Sequence, residues 1–314
     1  MTSRISTIDV SCPICGQTQS NAQRVVLTQD YAYQTCSNTF TYLRCNGCGV
    51  TYLANQPTES SLGIIYPNSY TAHATNQGLL ALIRRLNFQK KFFVARRFLC
   101  QRNRPLRVLD FGCGNGEMVR AIAELPGKLV LSSVGYDNSD SVTRSTVESR
   151  NSFLISNHLD DVLALGPFDL VFLNQVIEHL PHPIQTLSKI RSSMSPGGVI
   201  AIETPSLSGL EFKVRSSTFW GGWHAPRHFL IFDPATIGQL LSKVGFSVVK
   251  LSYIPSPYMW SQTLTAGRRH KLWKRAISIT NIFFLVLITF VDLVCIKLRV
   301  KTSNMRVIAV NSEC

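Results

Sequence analysis

Five apolar runs of strand length lie between residues 107 and 204, and each one ends at, or is followed by, a polar residue or a glycine. Helical patterns separate these runs, for example at 117–125 and after residue 183. Strands that alternate with helices predict an α/β fold with a mostly parallel sheet, whose strand ends gather at one edge. The runs cover residues 107–111, 129–136, 153–156, 168–174 and 199–204.

The pattern continues towards the end of the chain but is interrupted once. Residues 233–245 begin with an Asp cap and a first-turn Pro and stop at a Gly, which predicts a helix, and residues 246–254 alternate as a sixth strand. The last strand, expected to be antiparallel, comes only at 305–310. Residues 255–300 are therefore predicted to be a helical insertion, and they contain an apolar run at 276–296.

A glycine-rich turn follows the first apolar run. Gly112, Gly114 and Gly116 let the backbone turn sharply and approach a ligand closely. Asp137, at the tip of the second run, stands where an acid can accept both hydrogen bonds of a ribose diol. A nicotinamide dehydrogenase also has glycines after its first strand, but its fingerprint is Gly-x-Gly-x-x-Gly. Here Asp110 precedes a Gly-x-Gly-x-Gly turn, which argues against that class.

The order of these motifs resembles the class I, Rossmann-like methyltransferases that use S-adenosyl-L-methionine. The resemblance covers residues 105 to about 254. It rests on Leu-Asp-Phe-Gly-Cys-Gly-Asn-Gly at 109–116, Glu-His-Leu-Pro at 178–181 and Pro-Gly-Gly at 196–198. It implies a Rossmann-like sheet with an antiparallel last strand and S-adenosyl-L-methionine as the methyl donor.

The resemblance also assigns roles to the strand ends. In this family the glycine turn holds the methionine end of the cofactor, the second-strand acid holds the ribose, and the fourth-strand end lines the methyl-transfer face. The loop after the third strand is expected to border the adenine. Carried over, the cofactor-binding positions are Asp110, Gly112, Cys113, Gly114, Gly116, Asp137, Asn138, Leu159, Asn174, Gln175 and Val176.

Three histidines are candidates for the base that takes a proton from the acceptor. His179 lies at the mouth of the fourth strand, and His224 and His228 lie in an aromatic, glycine-containing segment that resembles the family's substrate-covering lid, at 205–232. Arg227 is a candidate for holding an acceptor carboxylate or phosphate. The alternative is that the aromatic residues of this segment are core and the histidines are hydrogen-bonded structural residues.

No metal is predicted among these acceptor-side residues. Some ubiquinone-pathway O-methyltransferases resemble the chain around Glu178 and His179 and bind a metal with an additional upstream glutamate. Gln175 stands in that place here, so the histidines alone are expected to handle the acceptor's proton.

Two Cys-x-x-Cys-Gly pairs predict a metal site near the N-terminus. Each pair supplies two thiolates from a tight turn, and four thiolates complete the tetrahedral shell of a structural Zn²⁺. Unrelated surface pairs or a redox Cys-x-x-Cys are the alternative. Cys36 is expected to be buried rather than ligating. The predicted ligands are Cys12, Cys15, Cys45 and Cys48.

Composition and charge narrow the class of partner. Apolar residues make up 45% of the 314 residues and charged residues 16%, as in folded chains, yet the net charge is +14. Basic residues concentrate at 84–107 and 268–275, which suits nucleic acid or an anionic membrane surface. Nucleic acid is disfavoured, because few basic residues surround the cysteine pairs. The Asn/Asp-Pro-Pro-Tyr motif, which is typical of methylation at amino groups, is also absent. Asn174-Gln-Val-Ile stands in its place, which argues against an RNA or protein methyltransferase.

The apolar run at 276–296 is long enough to cross a bilayer, but other features favour a monotopic or re-entrant helix. Strands on both sides of the insertion are predicted to pair in one sheet, and both flanks are basic, so the chain enters and leaves on the same side. Asn281 and Asp292 would be costly deep in hydrocarbon. The N-terminus is polar, so we expect a cytoplasmic protein on the inner face of the cytoplasmic membrane. A buried helix or a dimer interface is the alternative.

Together these features predict a zinc-ribbon-like domain at 1–60, a linker with a basic pre-core helix at 61–104 and a methyltransferase domain at 105–314. The predicted function is methyl transfer from S-adenosyl-L-methionine to a small-molecule or lipid-linked acceptor, such as a sugar, a quinone or an envelope lipid. Some deoxysugar C-methyltransferases are similar in pairing a four-cysteine zinc domain with this core, which supports a sugar. An RNA or protein methyltransferase and a non-catalytic cofactor-binding module are the alternatives.

Overall fold

A computed structural model describes residues 4–66, 78–100, 103–138, 145–147, 152–214, 217–267 and 282–312. The strands are, in chain order, β1 (Thr7–Asp9), β2 (Ala22–Thr28), β3 (Phe40–Cys45), β4 (Thr51–Leu53), β5 (Asn55–Pro57), β6 (Leu106–Phe111), β7 (Val130–Tyr136), β8 (Ser145–Val147), β9 (Ser152–Ser156), β10 (Phe168–Asn174), β11 (Met194–Pro205), β12 (Leu230–Ile231), β13 (Phe246–Ile254) and β14 (Asn304–Asn311). The helices are α1 (Leu62–Ile65), α2 (Gly78–Arg96), α3 (Glu117–Ala123), α4 (Leu159–Leu163), α5 (Pro183–Ser192), α6 (Leu210–Val214), α7 (Pro234–Val244), α8 (Pro257–Thr265) and α9 (Ile282–Lys297).

An eight-stranded sheet forms the centre of the molecule, in the order β13-β14-β11-β10-β6-β7-β9-β8. Strands β11, β10, β6, β7 and β9 are parallel, whereas β14 runs antiparallel to both β11 and β13. The first six residues of β10 are all buried, as expected of a strand covered on both faces. The predicted α/β, Rossmann-like sheet with an antiparallel last strand is confirmed.

Helices cover both faces of this sheet. On one face α2 and α3 pack Phe92, Met118 and Ile122 onto the strands, and on the other face α5 and α7 contribute Leu187 and Leu240. The parallel strands all end at the same edge, so the residues that follow β6, β7, β9 and β10 lie along one side of the sheet.

A smaller sheet is built mainly from the N-terminal residues, in the order β12-β4-β3-β2. Its edge strand β12 comes from the predicted lid, and Leu230 pairs with Tyr52 of β4. The N-terminal unit and the lid therefore share one sheet. The predicted domain boundaries stay predictions, and residues 67–77 and 101–102 of the linker and 215–216 of the lid lie outside the described residues.

The insertion before the last strand consists of α8 and α9 in the part of the chain that the structure describes. Asp292 of α9 is buried, and its carboxylate accepts hydrogen bonds from the amide of Ser256 at 2.7 Å and from the indole of Trp260 at 2.9 Å. Within the described ranges, no helix is both long and apolar enough to cross a membrane. The basic cluster 268–275, the start of the apolar run and Asn281 lie outside the described residues.

Candidate active site

Three glycines in the left-handed region build the turn between β6 and α3: Gly112, Gly114 and Gly116, with φ of +79°, +53° and +75°. The amides of Gly112 and Cys113 both donate to the carbonyl of Tyr136, at 2.7 and 2.9 Å, which fixes the turn over the end of β7. A Cβ at Gly112 would lie 2.3 Å from Cγ2 of Val176. Glycine is therefore required here for both its conformation and its small size.

The acid that follows β7 contacts this turn directly. Oδ2 of Asp137 accepts a hydrogen bond from the amide of Gly114 at 2.8 Å. Asn138 is exposed beside it, and Leu159 is half-buried at the start of α4. The side chain of Cys113 is buried beneath the turn, where burial raises the pKa of its thiol, so only its backbone can face a ligand.

A buried polar network lies below the turn. Lys91 donates to the side chains of Asn174 at 2.8 Å and Glu203 at 2.7 Å, and Nε of Arg306 donates to the same glutamate at 2.8 Å. The amide of Asn174 lies 3.4 Å from Asp110. Burial raises the pKa of Asp110 to about 7, against the opposing effects of Lys91 and Asn174. Burial also disfavours a charged Glu203, but Lys91 and Arg306 together hold its pKa below the usual range.

The residues that follow β10 are held in a strained turn. Gln175 has a φ of +56°, its amide donates to the carbonyl of Glu203 at 2.8 Å, and its side chain donates to Asn304 at 3.1 Å. Val176 then packs against Gly112. The structure thus brings the predicted cofactor positions of β6, β7 and β10 to one edge of the sheet, where their contact with a cofactor stays a prediction.

Four titratable side chains meet beside this edge, and we refer to Glu178, His179, His224 and His228 as the histidine cluster. Nδ1 of His179 lies 2.9 Å from the carbonyl of Arg227, and Nδ1 of His228 lies 2.8 Å from the carbonyl of Gly222. The ring of His228 lies 4.7 Å from that of His179 and 5.0 Å from that of His224. The three predicted base candidates therefore form one group, although 45 residues separate His179 from His224.

Glu178 is fully buried within this cluster. Its Oε2 accepts a hydrogen bond from the hydroxyl of Thr204 at 3.0 Å. Its Oε1 lies 4.0 Å from Nε2 of His228 and has no hydrogen-bond partner among the described residues. Burial raises the pKa of Glu178 to about 8, although its hydrogen bonds favour the ionised form.

The histidines are neutral at physiological pH. Burial lowers the pKa of His179 to about 4, despite the opposing effect of the Arg227 carbonyl, and lowers the pKa of His224 and His228 well below the usual value. His179 is half-buried, whereas His224 and His228 are buried. His179 is thus the member of the cluster that an acceptor can reach most directly.

Arg227 does not face an acceptor, contrary to the sequence-based expectation. Both its terminal nitrogens bind the carboxylate of Asp30 at 3.1 Å, and its Nε donates to the carbonyl of Ile65 at 2.7 Å. Burial opposes ionisation of Asp30, but Arg227 lowers its pKa. The pair is fully buried. The carboxylate that the guanidinium binds therefore belongs to the chain itself.

Several site residues were missed by sequence analysis because they come from distant segments. The hydroxyl of Tyr42 on β3 lies 2.7 Å from the carbonyl of His228, and the hydroxyl of Tyr66 lies 3.3 Å from Nδ1 of His179. The sequence shows Lys91 only as one of the basic residues at 84–107 and does not indicate its contact with Glu203. Glu203 could have been predicted to lie at the site, because it stands near the end of the fifth apolar run, where strand ends gather.

The four predicted zinc ligands form a cluster. The sulfurs of Cys12 and Cys48 lie 3.5 Å apart, those of Cys15 and Cys45 lie 3.4 Å apart, and all four lie within 4.8 Å of one another. Sulfurs bound to one tetrahedral Zn²⁺ at about 2.3 Å would be about 3.8 Å apart. The amides two and three residues after Cys12 and after Cys45 point at those sulfurs, which suits thiolates in both turns. The residues present therefore fit a structural zinc ion.

Comparison with known proteins shows which family the chain matches. A family profile described as "Methyltransferase domain" matches residues 84–251, more than half of the chain. Trans-aconitate 2-methyltransferase of Methylobacterium nodulans is 33% identical over 106 residues, which are 32% of this chain and 39% of that protein. Ubiquinone biosynthesis O-methyltransferase of Cereibacter sphaeroides is 26% identical over 175 residues, which are 51% of this chain and 68% of that protein.

The similarity is partial in length. The chain matches between 39% and 59% of the length of the first three curated relatives, all of them trans-aconitate 2-methyltransferases. A solved structure, a SAM dependent methyltransferase from Archaeoglobus fulgidus, aligns with a TM-score of 0.43 at 20% identity and covers 73% of this chain and 94% of that one.

Proposed function

This chain belongs to the methyltransferase-domain family, and from that membership we propose that it transfers a methyl group from S-adenosyl-L-methionine to a small-molecule or lipid-linked acceptor at a membrane surface. The observation that carries the proposal is the hydrogen bond from the amide of Gly114 to Asp137. It joins the glycine turn to the acid that the family resemblance assigns to the ribose. Both lie at the sheet edge where α/β folds bind their ligands.

The residues at this edge fit the cofactor in their donor and acceptor types. Bound S-adenosyl-L-methionine supplies a methyl group on a positively charged sulfur. The left-handed turn lets main-chain atoms approach the methionine part, and the carboxylate of Asp137 suits a ribose diol. The proposed cofactor contacts are Asp110, Gly112, the backbone of Cys113, Gly114, Gly116, Asp137, Asn138, Leu159, Asn174, Gln175 and Val176.

The histidine cluster is proposed to receive the acceptor and its proton. Its members Glu178 and His179 follow β10 within five residues, so the cluster lies next to the face that the resemblance assigns to methyl transfer. His179 is the most accessible of the three predicted bases, and its ring is held by the carbonyl of Arg227. Alignment of acceptor and methyl group, rather than strong basicity, is the main demand of such a displacement.

A small-molecule acceptor is favoured over RNA or protein. The relatives that match are named for trans-aconitate and for ubiquinone biosynthesis, and both names refer to small molecules. Among the described residues, the lid also encloses the histidine cluster, since His224 and His228 are buried. An enclosed site of this kind suits a compact acceptor or the head of a lipid-linked one.

The surface of α9 supports action at a membrane. An apolar stripe, consisting of Val286, Leu287, Phe290, Leu293 and Val294, is exposed along one side of this helix. These residues recur every three or four positions, so they share one face. Exposed basic residues at 297, 299 and 301 follow the stripe and would attract anionic headgroups.

The proposal is tested by incubating a membrane extract with methyl-labelled S-adenosyl-L-methionine and the purified chain. Label in the organic-solvent fraction is expected, and label found only in RNA or protein would contradict the proposed acceptor class. Asp137→Ala should reduce cofactor affinity at least tenfold in calorimetry, because it removes a charged hydrogen-bond acceptor worth about 1.5–3 kcal/mol. Glu59→Ala, an exposed acid of the N-terminal unit, is the control and should bind like the native chain.

A further inference from the structure

We propose that Glu178, His179 and His228 form a binding site for a divalent transition-metal ion, separate from the four-cysteine cluster. One ligand-capable atom of each residue lies within 4.8 Å of the other two. Two imidazoles and one carboxylate are a ligand set that proteins use for zinc and for iron(II), with coordination positions left for a further ligand.

In both imidazoles of the triad a backbone carbonyl fixes the proton on Nδ1. Nδ1 of His179 and Nδ1 of His228 each lie within 2.9 Å of a backbone carbonyl, which can only accept a hydrogen bond. Both Nδ1 atoms must therefore carry the proton, and the lone pair of each neutral ring is then on Nε2. Metal-binding histidines almost always donate their other N–H to a carbonyl or carboxylate in this way.

The carboxylate supplies a second, independent observation. Oε1 of Glu178 is buried without a hydrogen-bond partner among the described residues, and it lies 4.0 Å from Nε2 of His228. Leaving such an oxygen unsatisfied is costly. A lone pair on Nε2 cannot donate to this oxygen, whereas a cation between the two would satisfy both.

The distances require only a small contraction. Ligands held at about 2.1 Å from one metal ion lie roughly 3.0–3.4 Å apart. The separation of 4.0 Å between Glu178 and His228 exceeds this by about 0.6–1.0 Å, and the limit of 4.8 Å within the triad exceeds it by at most about 1.8 Å. Side-chain rotation can close such a gap while the hydrogen bonds at Nδ1 are kept.

The sequence did not indicate this site because its third ligand is far away in the chain. Gln175 stands three residues before Glu178, where the resembled enzymes have a glutamate, so the sequence predicts no metal there. His228 instead comes from the lid, where the hydroxyl of Tyr42 contacts its carbonyl at 2.7 Å and its ring nitrogen contacts Gly222. Only the folded lid brings His228 to the end of β10.

A metal ion here would define the acceptor class more closely, and because it would occupy Nε2 of His179 and His228, it would leave His224 as the candidate base. Three protein ligands leave coordination positions for an acceptor oxygen, and a bound cation lowers the pKa of a hydroxyl that it contacts. The acceptor would then be a hydroxyl- or carboxylate-bearing molecule. This use rests on the proposed methyl transfer, but the metal site does not, because binding is measured without cofactor or acceptor.

Metal stoichiometry of the full chain tests the inference. The purified protein is dialysed against zinc and, anaerobically, against iron(II), freed of excess metal, and analysed by mass spectrometry for metal per chain. We expect two equivalents in the native chain, one in the cysteine cluster and one in the triad. X-ray absorption of the zinc-loaded chain should show nitrogen or oxygen ligands in addition to sulfur.

Variants then locate the second equivalent. Glu178→Gln and His228→Gln should each retain one equivalent, whereas His182→Ala, an exposed histidine nearby, should retain two. A native chain with only one equivalent of either metal and an all-sulfur zinc shell would overturn the inference, as would two equivalents in folded Glu178→Gln. If a variant does not fold by circular dichroism, the native stoichiometry and the absorption spectrum decide alone.

Discussion

Asp110 is a single side chain whose ionisation should control cofactor binding. It is buried beneath the glycine turn, and burial raises its pKa to about 7, so it is half ionised near neutral pH. Lys91, whose charge opposes this rise in pKa, is already paired with Glu203. An additional positive charge above the turn, such as that of a sulfonium, would therefore favour the ionised form of Asp110.

The affinity for S-adenosyl-L-methionine should consequently rise several-fold between about pH 6 and about pH 8. The sign follows from the charges: the carboxyl is neutral below its pKa and negative above it, and the ligand is cationic. Calorimetry across this range measures the effect, and Asp110→Asn should flatten the curve. An unchanged slope in Asp110→Asn would remove this residue from the cofactor site.

Asp30 and Arg227 form a fully buried ion pair between the N-terminal unit and the lid. The guanidinium also lies 4.5 Å from the ring centre of Tyr33 and donates to the carbonyl of Ile65, so its position is fixed on several sides. Removing only one partner of such a pair leaves an uncompensated charge inside the protein.

Asp30→Asn should therefore lower the free energy of unfolding by about 3–5 kcal/mol. Asp9→Asn, on the exposed edge of β1, should change it by less than about 0.5 kcal/mol. Urea denaturation measures both values. The double variant Asp30→Asn with Arg227→Met should lose less than the sum of the single losses, because the orphaned charge is gone; strict additivity would show that the two residues are not coupled.

At the level of elements, α9 has an inverted distribution of polarity. Its buried side carries Asp292, which binds the amide of Ser256 and the indole of Trp260, while the apolar stripe faces outward. A surface helix of a globular protein normally shows the opposite arrangement. The predicted cost of Asp292 in hydrocarbon is thus avoided, because the carboxylate is satisfied by the protein.

Replacing a residue of the stripe should weaken membrane binding. Phe290→Glu is expected to reduce co-sedimentation with phosphatidylglycerol vesicles at least tenfold, because full burial of a phenylalanine is worth about 1.5–3 kcal/mol and the new charge is repelled by the lipid. Val249→Glu, on the exposed side of β13, is the matched control and should bind normally. Equal binding by both variants would favour a protein interface on α9.

At the scale of the whole molecule, the N-terminal unit contacts the lid and the histidine cluster that is proposed to receive the acceptor. β4 pairs with β12 of the lid, Tyr42 contacts the carbonyls of Trp223 and His228, and Asp30 holds Arg227. None of these contacts touches the glycine turn. Zinc in the cysteine cluster would thus support the histidine cluster through the smaller sheet, without supporting the cofactor site directly.

Loss of a zinc ligand should therefore impair methyl transfer much more than cofactor binding. Cys15→Ser is expected to lower the melting temperature and abolish methyl transfer, while cofactor affinity changes less than about threefold. Cys15 is exposed, so its thiol matters through a metal rather than through packing. Cys100→Ser, also an exposed cysteine, should behave like the native chain, and a Cys15→Ser variant with full transfer activity would remove zinc from this role.

The sequence by itself determined those features that depend on neighbouring residues. The glycine turn needs left-handed backbone at fixed positions, and α7 has the predicted Asp233 cap, a hydrogen-bonded exchange with Thr236, and a left-handed Gly245 at its end. The parallel pairing of the central strands followed as well, because strands that alternate with helices run parallel in one sheet. Such rules act within a few residues, so they can be read from the chain.

Only the tertiary structure decided which distant side chains meet. Arg227 binds Asp30, 197 positions away. Lys91, one of the basic residues at 84–107, binds Glu203, 112 positions away. Oε1 of Glu178, which has no hydrogen-bond partner in the described part of the chain, lies 4.0 Å from His228 because the lid folds over the end of β10. Charge and residue type show that each side chain needs a partner, but burial and the path of the chain select it. The glycine turn and the three histidines were therefore predictable from the sequence, whereas the partners that hold the histidine cluster were not.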